Sequence, residues 1–353
     1  MTVKGIIEFG SHPSSSYIAS SATWADVIAS PVDGFCTHLT DNSGNNISQR
    51  LWGYSGAVTG YTESDVSTFI SNVASRNAAG WGRVQYNFLV MQTPDKTTDW
   101  FSSDMELVIQ NLKLLGRVVA LTGLYGIVIE PEQYGTDVWR YNNMPLKATY
   151  TLAQYKTRIE AVGYEVGLYW AQQKADMALL LWKSYFFADT DSDYQMYGSF
   201  LDGIHRGFGV ARDANIKYGY TSQKSPELQI ISSNSQSYDD NDLTEFKRLH
   251  ANQLIYQGNS GRYKDFCRRA LTHWIDKNVH GDVSYPWNNS DPTNNYFNLS
   301  NCQSALTWMC QVPDLDFAVI YNENYHFFGS GTIINSQYLT SIRNAKKANG
   351  MVK

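Results

Sequence analysis

Apolar runs of strand length alternate with segments of helical period along the whole chain, and this alternation limits the fold more than any other feature. The strand-like runs are Val3 to Phe9, Gly34 to Leu39, Arg83 to Met91, Tyr125 to Ile129, Ala178 to Phe187, Ile216 to Tyr220, Arg269 to Ile275 and Asp316 to Tyr321. Between them lie helical segments: Trp24 to Ile28, Glu63 to Val73, Asp99 to Val119, Leu152 to Gln173, Tyr194 to Phe208, Asp242 to Ile255, Ser300 to Met309 and Asn335 to Lys347. The periodicity is explicit in the second helix, where Val66, Phe69, Ile70 and Val73 fall on one face. The fourth strand is apolar at nearly every position, as expected of a parallel strand covered on both sides. Eight β/α units with no break in composition predict an α/β fold, a single (β/α)₈ barrel over residues 1–353. Long loops at 41–61 and 277–298 follow the second and seventh strands, on the side where such barrels place their active sites.

Aromatic residues make up 14% of the chain and charged residues only 17%, with a net charge of −5. So apolar a chain buries enough surface to fold, which excludes disorder. Its mildly acidic balance argues against nucleic-acid binding through bulk charge. The longest apolar run, Met177 to Trp182, is far below the roughly 20 residues of a membrane span. Glu8 comes too early for the apolar stretch of a signal peptide. The low charge and the abundance of Asn, Ser and Tyr suit an exposed setting, so a secreted, surface or phage-associated protein is expected over a cytoplasmic one. The oligomeric state is not specified. Cys36, Cys267, Cys302 and Cys310 form no C-x-x-C pair and are expected as buried thiols, with a Cys302–Cys310 disulfide as the alternative.

In a barrel, polar residues at the C-terminal ends of strands face the active-site mouth. Few carboxylates qualify: Glu8, Glu130, Glu132, Asp276 and Glu323, with Asp189 and Asp191 after the fifth strand. Glu130-Pro131-Glu132 is the sharpest pattern. Two acids two residues apart in extended chain point the same way, and mutual repulsion raises one pKa, as a general acid at neutral pH requires. Asp276 and Glu323 are the alternatives for a second carboxylate, with Glu323 slightly favoured. Cleavage of a glycosidic bond needs two such groups. Glu8 and His38 suit either the mouth or a buried structural role.

Aromatic residues recur beside the same strand ends. Trp52, Tyr134, Trp182, Trp274, Trp287, Tyr321 and Tyr325 are candidate sugar-binding rings, with Glu8 as a further substrate contact. Other chemistries are not signalled. Asp189-Thr-Asp191-Ser-Asp193 begins like a calcium loop, but Tyr194 and Phe200 stand where glycine and an acid belong, so it reads as a helix cap. There is no H-E-x-x-H, P-loop, G-x-S-x-G or dinucleotide fingerprint. No metal or organic cofactor is expected.

Several segments carry a resemblance. Asn87-Phe-Leu, Asp99-Trp-Phe, Asn111 and above all Gly123-Leu-Tyr-Gly-Ile-Val-Ile-Glu-Pro-Glu-Gln-Tyr134 resemble a little-characterised family of barrel glycoside hydrolases with a G-L-K-G-I-x-F-D-P-E-x-Y hallmark. Trp274-Ile-Asp276, Asn295-Tyr-Phe and Val319-Ile-Tyr-Asn-Glu323 are similar to its later strand-end segments. The fourth-strand motif is also similar to the end of the chitinase-type D-x-x-D-x-D-x-E signature, although Tyr125 and Val128 depart from it. That resemblance implies Glu132 as proton donor and Glu130 as its helper. The expected function is therefore hydrolysis of an oligo- or polysaccharide, with a non-catalytic carbohydrate-binding barrel as the alternative. A metal-dependent barrel hydrolase is a third class, and the lack of histidine pairs at strand ends counts against it.

Overall fold

The computed structural model describes residues 3–53, 58–93, 98–131, 138–181, 195–217, 227–232, 267–276, 279–280, 283–284, 287–295, 297–313, 315–322, 325–329 and 331–351, with 244 and 247 as single positions. Eight parallel strands close a barrel: β1 (Gly5–Phe9), β2 (Gly34–His38), β3 (Phe88–Gln92), β4 (Gly126–Glu130), β5 (Ala178–Leu181), β6 (Glu227–Ser232), β7 (Cys267–Trp274) and β10 (Leu315–Tyr321). Each pairs with the next in sequence, and β10 closes the ring on β1 with Ile7 opposite Val319. Two short strands, β8 (Val279–His280) and β9 (Val283–Ser284), pair antiparallel beyond β7.

Among the described residues the α-helices are α1 (Ser15–Ala19), α2 (Ser21–Ala29), α3 (Ser67–Ala79), α4 (Met105–Thr122), α5 (Leu152–Gln173), α6 (Tyr197–Lys217), α7 (Leu299–Met309) and α8 (Ser336–Ala348). Polar residues set their starts. Thr151 and Gln154 form a reciprocal capping box at α5, and the Asn298 side chain accepts from two amides at the start of α7. The fold is the (β/α)₈ barrel expected, with one strand displaced. Ile216 lies in the last turn of α6, and the sixth strand is Glu227–Ser232, in register with β5 and β7. An apolar stretch this short reads equally as strand or helix end; here Ile216 and Lys217 belong to the helix, and 218–220 lie outside the described residues. The expected helix over Asp242 to Ile255 lies almost wholly outside the described residues.

Two apolar layers follow from the alternation of strand side chains. Ile7 and Phe9, Cys36, Val90, Val128 and Val319 point into the lumen. Ile6, Phe35, Leu89, Ile127 and Ile320 point outward under the helices. The helix layer is tightest between α5 and α6. A methyl group on Gly163 or Gly203 would lie 2.2 Å from the Phe200 carbonyl or 2.1 Å from the Glu160 carbonyl, so only glycine admits this approach. Cys36, Cys302 and Cys310 are free buried thiols, so Cys302 and Cys310 are not bonded to each other. No described helix is long and apolar enough to cross a membrane.

Candidate active site at the barrel mouth

Continuing each lumen-facing row by two residues brings His38 on β2, Gln92 on β3, Glu130 on β4 and Tyr321 on β10 to the C-terminal end of the barrel. Trp274 ends the corresponding row of β7. Rings form an arc along one side of this mouth. Trp274 and Tyr321 lie 5.3 Å apart between centroids, Tyr321 and Phe9 6.0 Å, Phe9 and His12 5.1 Å, and His12 and His38 4.1 Å. Phe9 is buried beneath the others, while Trp274, Tyr321, His12 and His38 are partly exposed. Such edge-tilted rings present flat faces bordered by polar tips.

Asp276 stands one step beyond β7. Its carboxylate accepts from the Trp274 indole N–H at 2.8 Å and from the Tyr325 amide at 3.1 Å. Both contacts lock its orientation, and the residue is almost fully buried. Glu130 ends β4 opposite Gln92, and its own carbonyl accepts from the Thr93 amide and hydroxyl. Glu130 is 9% exposed, so the carboxylate sits in a largely dry wall of the mouth.

Glu8 is placed differently from the expectation of a substrate contact. It alternates with the lumen residues Ile7 and Phe9 and shares its row with Phe35 and Ile320, which face the helices. It is wholly buried, so it touches no substrate directly. Oε1 accepts from the Ser11 amide at 2.6 Å, whereas Oε2 has no partner. Burial pushes its pKa up to about 7; Ser11 and the nearby Asn322 carboxamide pull it down by less, and the charge of Asp276 adds to the rise.

Burial disfavours the charged forms of His12 and His38. Burial holds His38 down to about 4. His12 is held well below its usual value by burial and then by His38 and His326. A ring N–H of His12 donates to the Cys36 carbonyl at 3.2 Å, leaving its second ring nitrogen an acceptor. His12 also has φ +39°, a left-handed conformation that costs a non-glycine residue energy and occurs preferentially at functional sites. It was not legible as a site residue in the sequence; its one signal is its place directly after Gly10-Ser11 at the end of the first strand. Gln92 and Asn322 were likewise missed, since a single amide at a strand end has no distinguishing pattern.

Of the residues expected at the site, the structure brings Glu130, Asp276, Trp274 and Tyr321 to the mouth. Tyr325 lies beside them through its bond to Asp276, and Trp287 packs on Tyr325 at 5.6 Å and on Tyr338 at 5.1 Å. Trp52 is corrected: it is 1% exposed, packed among Trp100, Trp139 and Phe200 under the loop layer, and not in a cleft. An indole this large gains more from full burial than from exposure at a loop that Asn111 already ties to α4. Glu132, Glu323, Tyr134 and Trp182 lie outside the described residues, as do Asp189 and Asp191. Among the described residues no three His, Cys, Asp or Glu side chains are grouped to hold a metal ion.

No protein-family profile and no curated protein matches this chain in sequence. Its architecture is similar to that of several solved structures. A GH18 chitinase from Pseudoalteromonas aurantia is 10% identical, with 97% of this chain and 99% of that one covered and a TM-score of 0.45. A GH5-4 broad-specificity endoglucanase from Clostridium longisporum is 9% identical, with 93% and 86% covered and a TM-score of 0.47. Endonuclease IV from Thermus thermophilus is 10% identical, with 97% and 99% covered and a TM-score of 0.46. Likeness of this degree assigns no chemistry, and the barrel itself rests on the strand register above.

Proposed function

We propose that this protein is a glycoside hydrolase acting on an oligo- or polysaccharide at the C-terminal mouth of the barrel. The observation that carries the reading is Asp276, a carboxylate fixed by the Trp274 indole at one end of an aromatic arc, in the same mouth as Glu130. Flat sugar faces pack on such rings, while carboxylates in a dry wall supply proton transfer and charge stabilisation. Glu132, two residues beyond Glu130, protonates the departing glycosidic oxygen. Glu130 disfavours ionisation of Glu132 and so keeps the proton available at neutral pH. Asp276 or Glu323 stabilises the positive charge that develops on the sugar ring, as nucleophile or as base for the attacking water. The low charge of the chain suits a secreted or surface-associated protein of this kind.

The test is a panel of polysaccharides and aryl glycosides offered to wild type and Glu132→Gln. The expected result is cleavage of at least one substrate by wild type, with a drop of roughly 10²–10⁴-fold in the variant. Full activity in Glu132→Gln removes the assigned acid. Glycan binding that persists in both proteins with no product over days makes the chain a carbohydrate-binding barrel.

A further inference from the structure

Behind the aromatic arc, hydrogen bonds run from the end of β10 to Asp276. The Asn322 side-chain amide donates to the Tyr325 carbonyl, the Tyr325 amide donates to Asp276 Oδ2, and Trp274 donates to Asp276 Oδ1. At the start of this series two buried acceptors are left over. Glu8 Oε2 and Asn322 Oδ1 are both buried and both lack a partner. They belong to adjacent strands: Glu8 pairs with Ile320, and the Asn322 amide donates to the Phe9 carbonyl. The Ser11 amide donates to Glu8 Oε1 and the Asn322 amide group to Tyr325, while the Ser11 hydroxyl and the Asn322 side chain favour the charged carboxyl by less than burial disfavours it. Rotating the Asn322 carboxamide would face its oxygen with the Tyr325 carbonyl, so a flip does not relieve the shortage. Two buried acceptors left unsatisfied carry a desolvation cost that a shared proton removes.

We propose that Glu8 carries a proton on Oε2 and donates it to Asn322 Oδ1, making Glu8 a positioning residue that holds the Asn322–Tyr325–Asp276–Trp274 series in one arrangement. One proton satisfies both orphaned atoms at once. The raised pKa of Glu8 agrees with this arrangement, since burial disfavours its charged form. Among the described residues no cation opposes it. The titratable groups near it are the Asp276 carboxylate beyond β7 and the lumen-side Cys36 of β2, whose thiol is itself pushed well above its usual value by burial and then by Glu8 and Glu130. Phe35 and Ile320 flank it in its own row. When the proton leaves, a carboxylate meets the Asn322 oxygen and the arm carrying Tyr325 and Asp276 loses its anchor. The inference rests on the proposed hydrolase only in its kinetic consequence, because the hydrogen-bond series exists whatever the substrate.

The experiment follows the indole N–H of Trp274, assigned by Trp274→Phe, in ¹⁵N-labelled protein from pH 5 to 9. The same titration is run on wild type labelled with ¹³C at the glutamate carboxyls. One carboxyl is expected to titrate near 7 and not near the ordinary ~4.3. The Trp274 signal should move with the same midpoint. That movement should vanish in Glu8→Gln, which fixes a neutral donor in place, and its midpoint should fall in Asp276→Asn. No glutamate titrating above about 6, or a Trp274 transition that persists in Glu8→Gln, overturns the proposal. Should Glu8→Gln not fold, the wild-type carboxyl titration alone decides. If a substrate is cleaved, the fall in kcat/KM above pH 7, tenfold per pH unit, should be absent in Glu8→Gln. Absence of any cleavage with an intact Trp274 titration defeats the hydrolase reading and leaves the role of Glu8 standing.

Discussion

Where the barrel strands begin, the ionic groups around Asp33 are all paired. Asp33 accepts from the Ile6 amide at 2.9 Å and from Lys346 at 2.6 and 2.8 Å, with Arg83 3.6 Å away. Lys346 is buried and also donates to the Pro31 carbonyl. Tyr86 closes the lumen edge-on against Phe317 at 4.8 Å and Tyr125 at 5.2 Å. Where the strands end, buried atoms of Glu8, His38, Asn322 and His326 have no partner. The same barrel thus has one end built for stability and one where polar groups are kept unsatisfied at a cost. Unsatisfied groups in a water-poor mouth are available to a ligand or a proton, which is the use barrels make of that end.

Substitutions at the two ends should therefore separate activity from stability. Asp276→Asn is expected to lower turnover on a cleavable glycan by roughly 10²–10⁴-fold while lowering the unfolding free energy by about 1–3 kcal/mol, since one of the two N–H donors to the carboxylate is stranded. A loss under tenfold would give the second carboxylate's role to Glu323. At the opposite end, Lys346→Ala strands the Asp33 carboxylate and should cost about 3 kcal/mol or more in denaturant unfolding. Turnover per folded molecule should be unchanged. A cost below about 1 kcal/mol would mean the floor is not the stable end.

A pH dependence sharpens the contrast. His273 is buried at 4.1 Å from the Phe297 ring with neither ring nitrogen partnered, and burial holds it down to about 3. The unfolded chain takes up this proton near pH 6.5, long before the folded one does. The stability His273 contributes is therefore complete above about 6.5 and is lost as pH falls toward 3. His38 acts in the same sense. Glu8 acts in the opposite sense: its contribution is full below its unfolded pKa and is lost as pH rises through about 7. Replacing His273 with Leu should shrink the loss of stability between pH 7 and 5 by about 2 kcal/mol, read by denaturation at both pH values. An unchanged loss would show that the mouth and not the strand interior sets acid sensitivity. The smallest effect is expected from Trp274→Ala, which should weaken glycan binding by calorimetry about tenfold, near 1.4 kcal/mol.

The strand order was legible because apolar runs and helical periods alternate so regularly, and α5 has the same bounds in both readings. The sixth strand was not, because Ile216 adds an apolar position to a helix end that resembles a strand start. The site was legible where chemistry and position coincide, as at Glu130 and Asp276 after apolar strands. It was misread where side-chain parity decides. Glu8 stands at a strand end, but its neighbours Ile7 and Phe9 take the lumen and send it to the other side. Trp52 shows the same limit for loops, since no pattern tells a ring that lines a cleft from one that fills the space under it.

The glycine contacts between α5 and α6 also set how this molecule tolerates change. Gly163, Gly167, Gly203 and Gly207 each lie so close to the facing backbone that a single added carbon would come within 2.1–2.5 Å of it. These helices follow β5's neighbour β4, the stave whose upper end carries Glu130, and β5 itself. Any enlargement there would spread the helices and transmit the strain to the wall of the mouth that holds Glu130. That face of the barrel is a place where random mutation should be almost uniformly harmful, whereas the exposed faces of α3 and α8 should accept most substitutions. A deep mutational scan of this chain should show one of its most intolerant stripes along the buried seam between α5 and α6.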